Sequence, residues 1–265
     1  MKTTHFPIGI FDSGVGGTSI WKEIAKLLPN EDTIYLSDSK NAPYGEKTKE
    51  EIIKLSIKNT EFLIKEGCKI IVVACNTATT NAIKTLRQSY NIPFIGIEPA
   101  IKPASLQSKT NTIGILATKG TLSSELFEKT STIIKEKTII KEVIGTGLVE
   151  LVEAGKLDSE ETTELLKKHI NPLLKENIDC LVLGCTHYPY LIPKIKEIVG
   201  DSIQIIDSGE AVARQTKAIL NQFNLLKKES DFGNHQFYIN KNKTVLSQLL
   251  LSSDIPNLKV DELEF

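Results

Sequence analysis

Two stretches decide the fold when laid over one another: KEGCKIIVVACNT at 65–77 and KENIDCLVLGCTH at 175–187. They align without a gap at an offset of 110 residues, and each closes a short apolar run with a cysteine. Apolar runs of this length, bounded by charged and turn-forming residues, read as strands buried on both faces. Working outward, IGIFDS (8–13) returns as IGILAT (113–118) at an offset of 105, and PFIGIEPA (93–100) is answered by IQIIDSGE (203–210). Chance similarity among apolar strands is the alternative. The matched cysteines and the loops after them favour a repeat. A period near a hundred residues is too long for a solenoid unit and fits two related α/β lobes, with a boundary near 98–105.

Strands are expected at 8–11, 33–36, 70–74, 94–97, 112–116, 139–144, 180–183 and 203–206. Helical patterns separate them, which implies parallel sheets covered on both faces. TSIWKEIAKLL (18–28) stops before Pro29. Thr48 and Glu51 fit a capping box for the helix over 51–67, with Ile53, Ile57 and Ile64 near one face. Asp158 and Ser159 can cap EETTELLKKHI (160–170), whose continuation is expected to bend or break at Pro172. Beyond Leu225 the chain turns polar; FYIN (237–240) and KVDEL (259–263) read as short edge elements without assigned chemistry.

Composition narrows the function classes. Of 265 residues, 40% are hydrophobic and 25% charged, as in globular proteins. Lys and Arg total 32 against 33 Asp and Glu, net charge -1, with no basic stripe for nucleic acid or an anionic membrane. No apolar stretch approaches the ~20 residues that span a bilayer. MKTTHFPIGIFDSG runs straight into a strand without a signal-peptide core, so a cytosolic address is expected. The cysteines, Cys68, Cys75, Cys180 and Cys185, are then expected reduced, and their gaps of 7 and 5 match no zinc knuckle.

In a parallel sheet, ligands sit beyond the carboxyl ends of the strands. Polar residues fall there in both halves: Asp12-Ser13-Gly14, Asp38 to Gly45 and Cys75-Asn76-Thr77 in the first, Thr118 to Thr121, Cys185-Thr186-His187 and Asp207-Ser208-Gly209 in the second. Cys75 and Cys185 each follow an apolar strand and precede a helix, whose start favours a thiolate and lowers a thiol pKa. Cys68 and Cys180, at the opposite sheet edge, read as small buried hydrophobes. Two thiols across a cleft suit inversion of a stereocentre through a carbanion, one removing a proton and the other delivering one from behind. Redox chemistry would want the sulfurs within bonding distance, typically as C-x-x-C, which is absent. DSGVGGTS is neither a dinucleotide fingerprint nor a Walker loop, yet its glycines allow close backbone approach. Asp12 is either a helix cap or an oriented base. His187 is either structural or tunes Cys185. Glu153, by spacing alone, sits on a solvated helix face.

IGIFDSGVGG, NAPYGEKT, VVACNTATT, LATKGT, LVEAGK, LVLGCTHYP and IIDSGEAVA, in this order, resemble the glutamate racemase family over roughly residues 7 to 220. FDSGVGG, CNTAT and GCTHYP together are specific to it. The resemblance implies two pseudo-symmetric α/β lobes with the active site between them, residues 1–98 together with 208–265 forming the first and 99–207 the second. It implies catalytic cysteines at Cys75, acting on D-glutamate, and Cys185, acting on L-glutamate. Asp12 would assist the first thiol, Glu153 and His187 the second. Substrate contacts would come from Asp12, Ser13, Tyr44, Gly45, Asn76, Thr77, Thr118, Thr121, Thr186 and His187. No cofactor or metal, a homodimer, and supply of D-glutamate for peptidoglycan are further implications. Family members often carry a proline in the helix leading to the glutamate, where this chain reads TGLVELVEAG (146–155), so Glu150 competes with Glu153 for that role. Aspartate racemisation, non-catalytic amino-acid binding, and a thiol redox or zinc protein are the competing functions.

Overall fold

All eight apolar runs form strands, and each pairs in parallel. The computed structural model describes residues 3–228, 230–251 and 253–265. Strands β1 (Ile8–Asp12), β2 (Thr33–Ser37), β3 (Ile70–Val73) and β4 (Phe94–Gly96) belong to a six-stranded sheet. Strands β5 (Thr112–Ala117), β6 (Ile139–Ile144), β7 (Cys180–Gly184) and β8 (Gln204–Ile206) make a four-stranded one. The tail adds β9 (His235–Ile239) and β10 (Leu258–Glu262) to the first sheet. The orders are β10-β9-β2-β1-β3-β4 and β6-β5-β7-β8. The run β2-β1-β3-β4 thus recurs as β6-β5-β7-β8, the repeat read from the offsets. Of the two tail strands only β10 lies at an edge; β9 sits between β2 and β10, with His235, Phe237 and Ile239 buried on one face.

The helices are α1 (Thr18–Leu27), α2 (Lys49–Lys65), α3 (Asn76–Ser89), α4 (Ile101–Gln107), α5 (Lys119–Leu122) and α6 (Glu125–Lys135). They continue as α7 (Leu148–Glu153), α8 (Glu160–Leu174), α9 (Ile192–Val199), α10 (Gly209–Gln222) and α11 (Lys243–Leu251). Thr48 and Glu51 form the expected capping box, and Ser159, not Asp158, caps α8. Two helix expectations need correction. The fully buried residues of α2 are Ile52, Ser56, Asn59, Thr60 and Leu63; Ile53 and Ile57 pack half-buried against the same cluster, and of the expected face only Ile64 is exposed. Helix α8 does not break at Pro172 but continues for two more residues to Leu174, with Leu173 buried.

Helices α2 and α3 cover one face of the first sheet and α4 and α6 one face of the second. A third apolar cluster runs through both lobes, from Trp21 and Val72 to Val152, Leu166 and Leu181. In each sheet the chain reverses direction of travel beside its first strand, between β1 and β3 and between β5 and β7. A crevice opens at the carboxyl ends of strands at such points. The two crevices face each other.

Candidate active site

Asp12 ends β1, and its carboxylate turns back onto the loop that follows. Oδ2 accepts from the Gly14 and Gly17 N–H groups at 3.1 and 3.0 Å, while Oδ1 accepts from the Thr186 hydroxyl at 3.2 Å. Burial raises its pKa to about 6, against the lowering effect of His187 and the two amides. The glycines of this turn admit groups from the other lobe. A Cβ on Gly14 would fall on the Glu153 carboxylate, and one on Gly16 on the His187 ring. Close approach, not backbone conformation, demands glycine here.

Cys75 is the N-cap of α3, its sulfur accepting from the Ala78 N–H at 3.4 Å and lying 3.6 Å from the Ser13 hydroxyl. The helix start does not prevail: burial and then the Asp12 charge push this thiol up, outweighing the Ala78 and Ser13 hydrogen bonds. The sequence expectation of a lowered pKa is therefore corrected at Cys75. Cys185 follows β7 and leads not into an α-helix but into a 3-10 turn over 188–191 before α9.

On that side the acid-base groups are chained. The Cys185 sulfur is 3.7 Å from Nδ1 of His187, whose Nε2 is 2.6 Å from Oε1 of Glu153. Glu153 Oε1 also accepts from the Val15 N–H at 2.7 Å, and Oε2 from the Ser39 hydroxyl at 2.7 Å. Burial alone would lower His187, but its bonds to Cys185 and Glu153 hold it well above an ordinary histidine. Burial would raise Glu153; His187, Ser39 and Val15 hold it below the usual carboxylate range. Glu153 is thus the carboxylate that reaches His187, whereas Glu150 is exposed and faces flanking pockets.

Between the lobes is a small cavity lined by Ser13, Pro43, Tyr44, Gly45, Cys75, Asn76, Thr77, Thr118, Val149, Cys185, Thr186 and His187. Both cysteines and eight of the ten expected contact residues share it. Asp12 and Thr121 stand behind it: Thr121 completes a hydroxyl triangle with Thr77 and Thr118, at 3.2 and 3.0 Å. Thr77 and Thr118 meet across the cleft at 2.8 Å. The cavity measures about 10 Å³, room for about one water. Asn76 Oδ1 is buried there without a hydrogen-bond partner. Tyr44 donates to Asp38 at 2.6 Å and receives the Asn59 amide at 3.2 Å, which fixes its ring in the wall.

The expected loop at Asp207-Ser208-Gly209 stays apart, Ser208 bonding the Glu98 carbonyl at 2.6 Å. Among the described residues, no group of three or more His, Cys, Asp or Glu could hold a metal ion. Sequence reasoning did not single out Ser39, Pro43 or Val149. Ser39 and Pro43 lie in the polar loop flagged after β2; Val149, an apolar residue in an apolar helix, gives no signal.

Two opposed parallel-sheet lobes, with a cysteine at each facing switch point, enclose one small cleft between them. The Asp/Glu/Hydantoin racemase family model matches residues 8–216, and the chain belongs to that family. A glutamate racemase of Herpetosiphon aurantiacus is 45% identical over 227 residues, 86% of this chain and 89% of the relative. The crystal structure of the Bacillus anthracis glutamate racemase isoform RacE1 superposes with a TM-score of 0.88 at 32% identity, covering 99% of this chain and 98% of that one. Escherichia coli glutamate racemase, solved with L-glutamate and the activator UDP-MurNAc-ala, gives 0.84 at 30%, covering 98% and 100%. The family and the fold class expected from the motifs are borne out.

Proposed function

We propose that this chain interconverts L- and D-glutamate, Cys75 and Cys185 working on opposite faces of the α-carbon. The observation that carries the reading is that both sulfurs line one cavity, each with its own acid-base partners. A thiolate at Cys185 removes the α-proton of L-glutamate, and the Cys75 thiol delivers its proton to the other face; D-glutamate runs the sequence backwards. The His187–Glu153 pair sits where it can exchange a proton with Cys185, and Asp12 plays the corresponding part behind Cys75. Hydroxyls and amides of Ser13, Asn76, Thr77, Thr118 and Thr186, with Tyr44 and Gly45, suit two carboxylates held without arginine. The unpartnered Asn76 oxygen suits the substrate ammonium. The relatives' names and the L-glutamate complex support glutamate over aspartate.

The same reading groups 1–98 with 208–265 as one lobe and 99–207 as the other, supported by the return of β9 and β10 to the first sheet. It also places the protein in the cytosol as a homodimer supplying D-glutamate for peptidoglycan; no helix is long and apolar enough to cross a membrane among the described residues. Exchange of the α-hydrogen for solvent deuterium, followed with each enantiomer and no added cofactor, tests the chemistry. Faster turnover of aspartate would defeat the substrate assignment, and binding without exchange would leave a non-catalytic binder. Cys75→Ser and Cys185→Ser should each abolish racemisation while keeping one-sided elimination from a substrate with a β leaving group.

A further inference from the structure

The tail of the chain reaches the site twice. Strand β9 pairs with β2 so that Ile239 lies opposite Ser37, which brings the next residues out beside the loop that walls the cavity. Asn240 is buried there: its amide donates to Asp38 Oδ1 at 2.6 Å, and its oxygen accepts from the Lys40 N–H at 2.8 Å. Asp38 also holds the Tyr44 hydroxyl. Two residues later Asn242, in the left-handed conformation at φ 67, donates its amide to the main-chain carbonyl of Glu153 at 3.0 Å. Helix α11 then packs Val245 and Leu246 into the apolar cluster that contains Leu148 and Val152 of α7. The turn 240–242 therefore ties the loop bearing Tyr44 in one lobe to the end of the helix bearing Glu153 in the other.

We propose that Asn240 and Asn242 are a clamp of positioning residues, fixing from the chain tail both the Tyr44 wall and the Glu153–His187 pair. This rests on the function proposed above. Asn242→Gly removes the donor and keeps the left-handed backbone, which glycine adopts freely. The position is exposed, so folding is spared. Racemisation has an equilibrium constant of one, so kcat/KM for the two enantiomers must change together and cannot report a one-sided defect. Chloride elimination from the L and D forms of 3-chloroglutamate can.

In Asn242→Gly, elimination from the L form should fall about threefold to tenfold, the worth of one hydrogen bond, and from the D form by less than about twofold. The His187 titration, followed by NMR of the imidazole, should move to lower pH. Asn240→Ser, checked for folding by its Tm, should raise KM for both enantiomers more than it lowers kcat. Equal loss on both forms, or unchanged rates with an unchanged His187 titration, would overturn the clamp. If the parent protein neither racemises glutamate nor eliminates chloride, the proposed function fails and the His187 titration decides alone: a downward move in Asn242→Gly supports the clamp, none overturns it.

Discussion

Asp12 is a carboxylate kept out of water, and its raised pKa has a stability cost that can be measured. Its pKa is 3.8 in the unfolded chain and about 6 when folded, so the native state is the better proton binder between those values. Stability contributed by the protonated form is therefore full below pH 3.8 and lost as pH rises through about 6. The gap corresponds to on the order of 3 kcal/mol. Asp12→Asn keeps an oxygen for the Gly14 and Gly17 amides and removes the charge. It should raise Tm at pH 8, leave it unchanged near pH 3, and reduce racemisation; a lower Tm at pH 8 would contradict the assignment.

The His187–Glu153 pair runs the other way. The raised His187 contributes stability below pH 6.5 that is lost as pH climbs through its folded value. The lowered Glu153 contributes above pH 4.5 and loses it as pH falls through its own. Both contributions are complete between 4.5 and 6.5. Glu153→Gln should lower the His187 pKa and draw the alkaline limb of the kcat profile towards neutrality, a change read from pH–rate curves.

At the scale of the element, the turn from β1 into α1 carries one of the contacts between lobes. Gly14→Ala or Gly16→Ala would displace Glu153 or His187, with activity falling about a hundredfold or more, because small misplacements at a reacting centre are costly. Circular dichroism should stay near that of the parent, since neither methyl enters the apolar core. Most strands were legible in the sequence because each is a short apolar run with a turn signal after it; β6, with Lys141 and Glu142 inside it, is interrupted by charge and holds no fully buried residue. The face of α2 was legible only in part, since Ser56, Asn59 and Thr60 are buried and polar. Cys75 and Cys185 stood out through the repeat, which also placed Ser13 and Thr118 at matching strand ends. Ser39 lay in a flagged loop without being singled out, and Asn240 and Asn242 were given no role, because their partners lie 114, 202 and 89 residues away and only the fold brings them together.

For the whole molecule, the governing quantity is the space between the lobes. A cavity of about 10 Å³ is smaller than an amino acid, so binding glutamate there is expected to part the Thr77–Thr118 and Asn81–Gly120 contacts. Adding glutamate should slow amide hydrogen exchange in residues 39–46 and 118–122. Unchanged exchange in both segments at saturation would mean that entry needs no such opening.

The return of the tail has a consequence for how the chain is made. Strand β2 needs β9 as its neighbour, and Trp21 packs edge-on against Phe237 at 4.8 Å and against His235 at 5.3 Å. During synthesis the four-stranded sheet has all its strands once residue 206 has left the ribosome. The six-stranded one, although begun first, waits for residue 262. The half of the protein translated earliest is thus the last to finish folding, and nascent chains stalled short of the tail would expose its unfinished edge to chaperones.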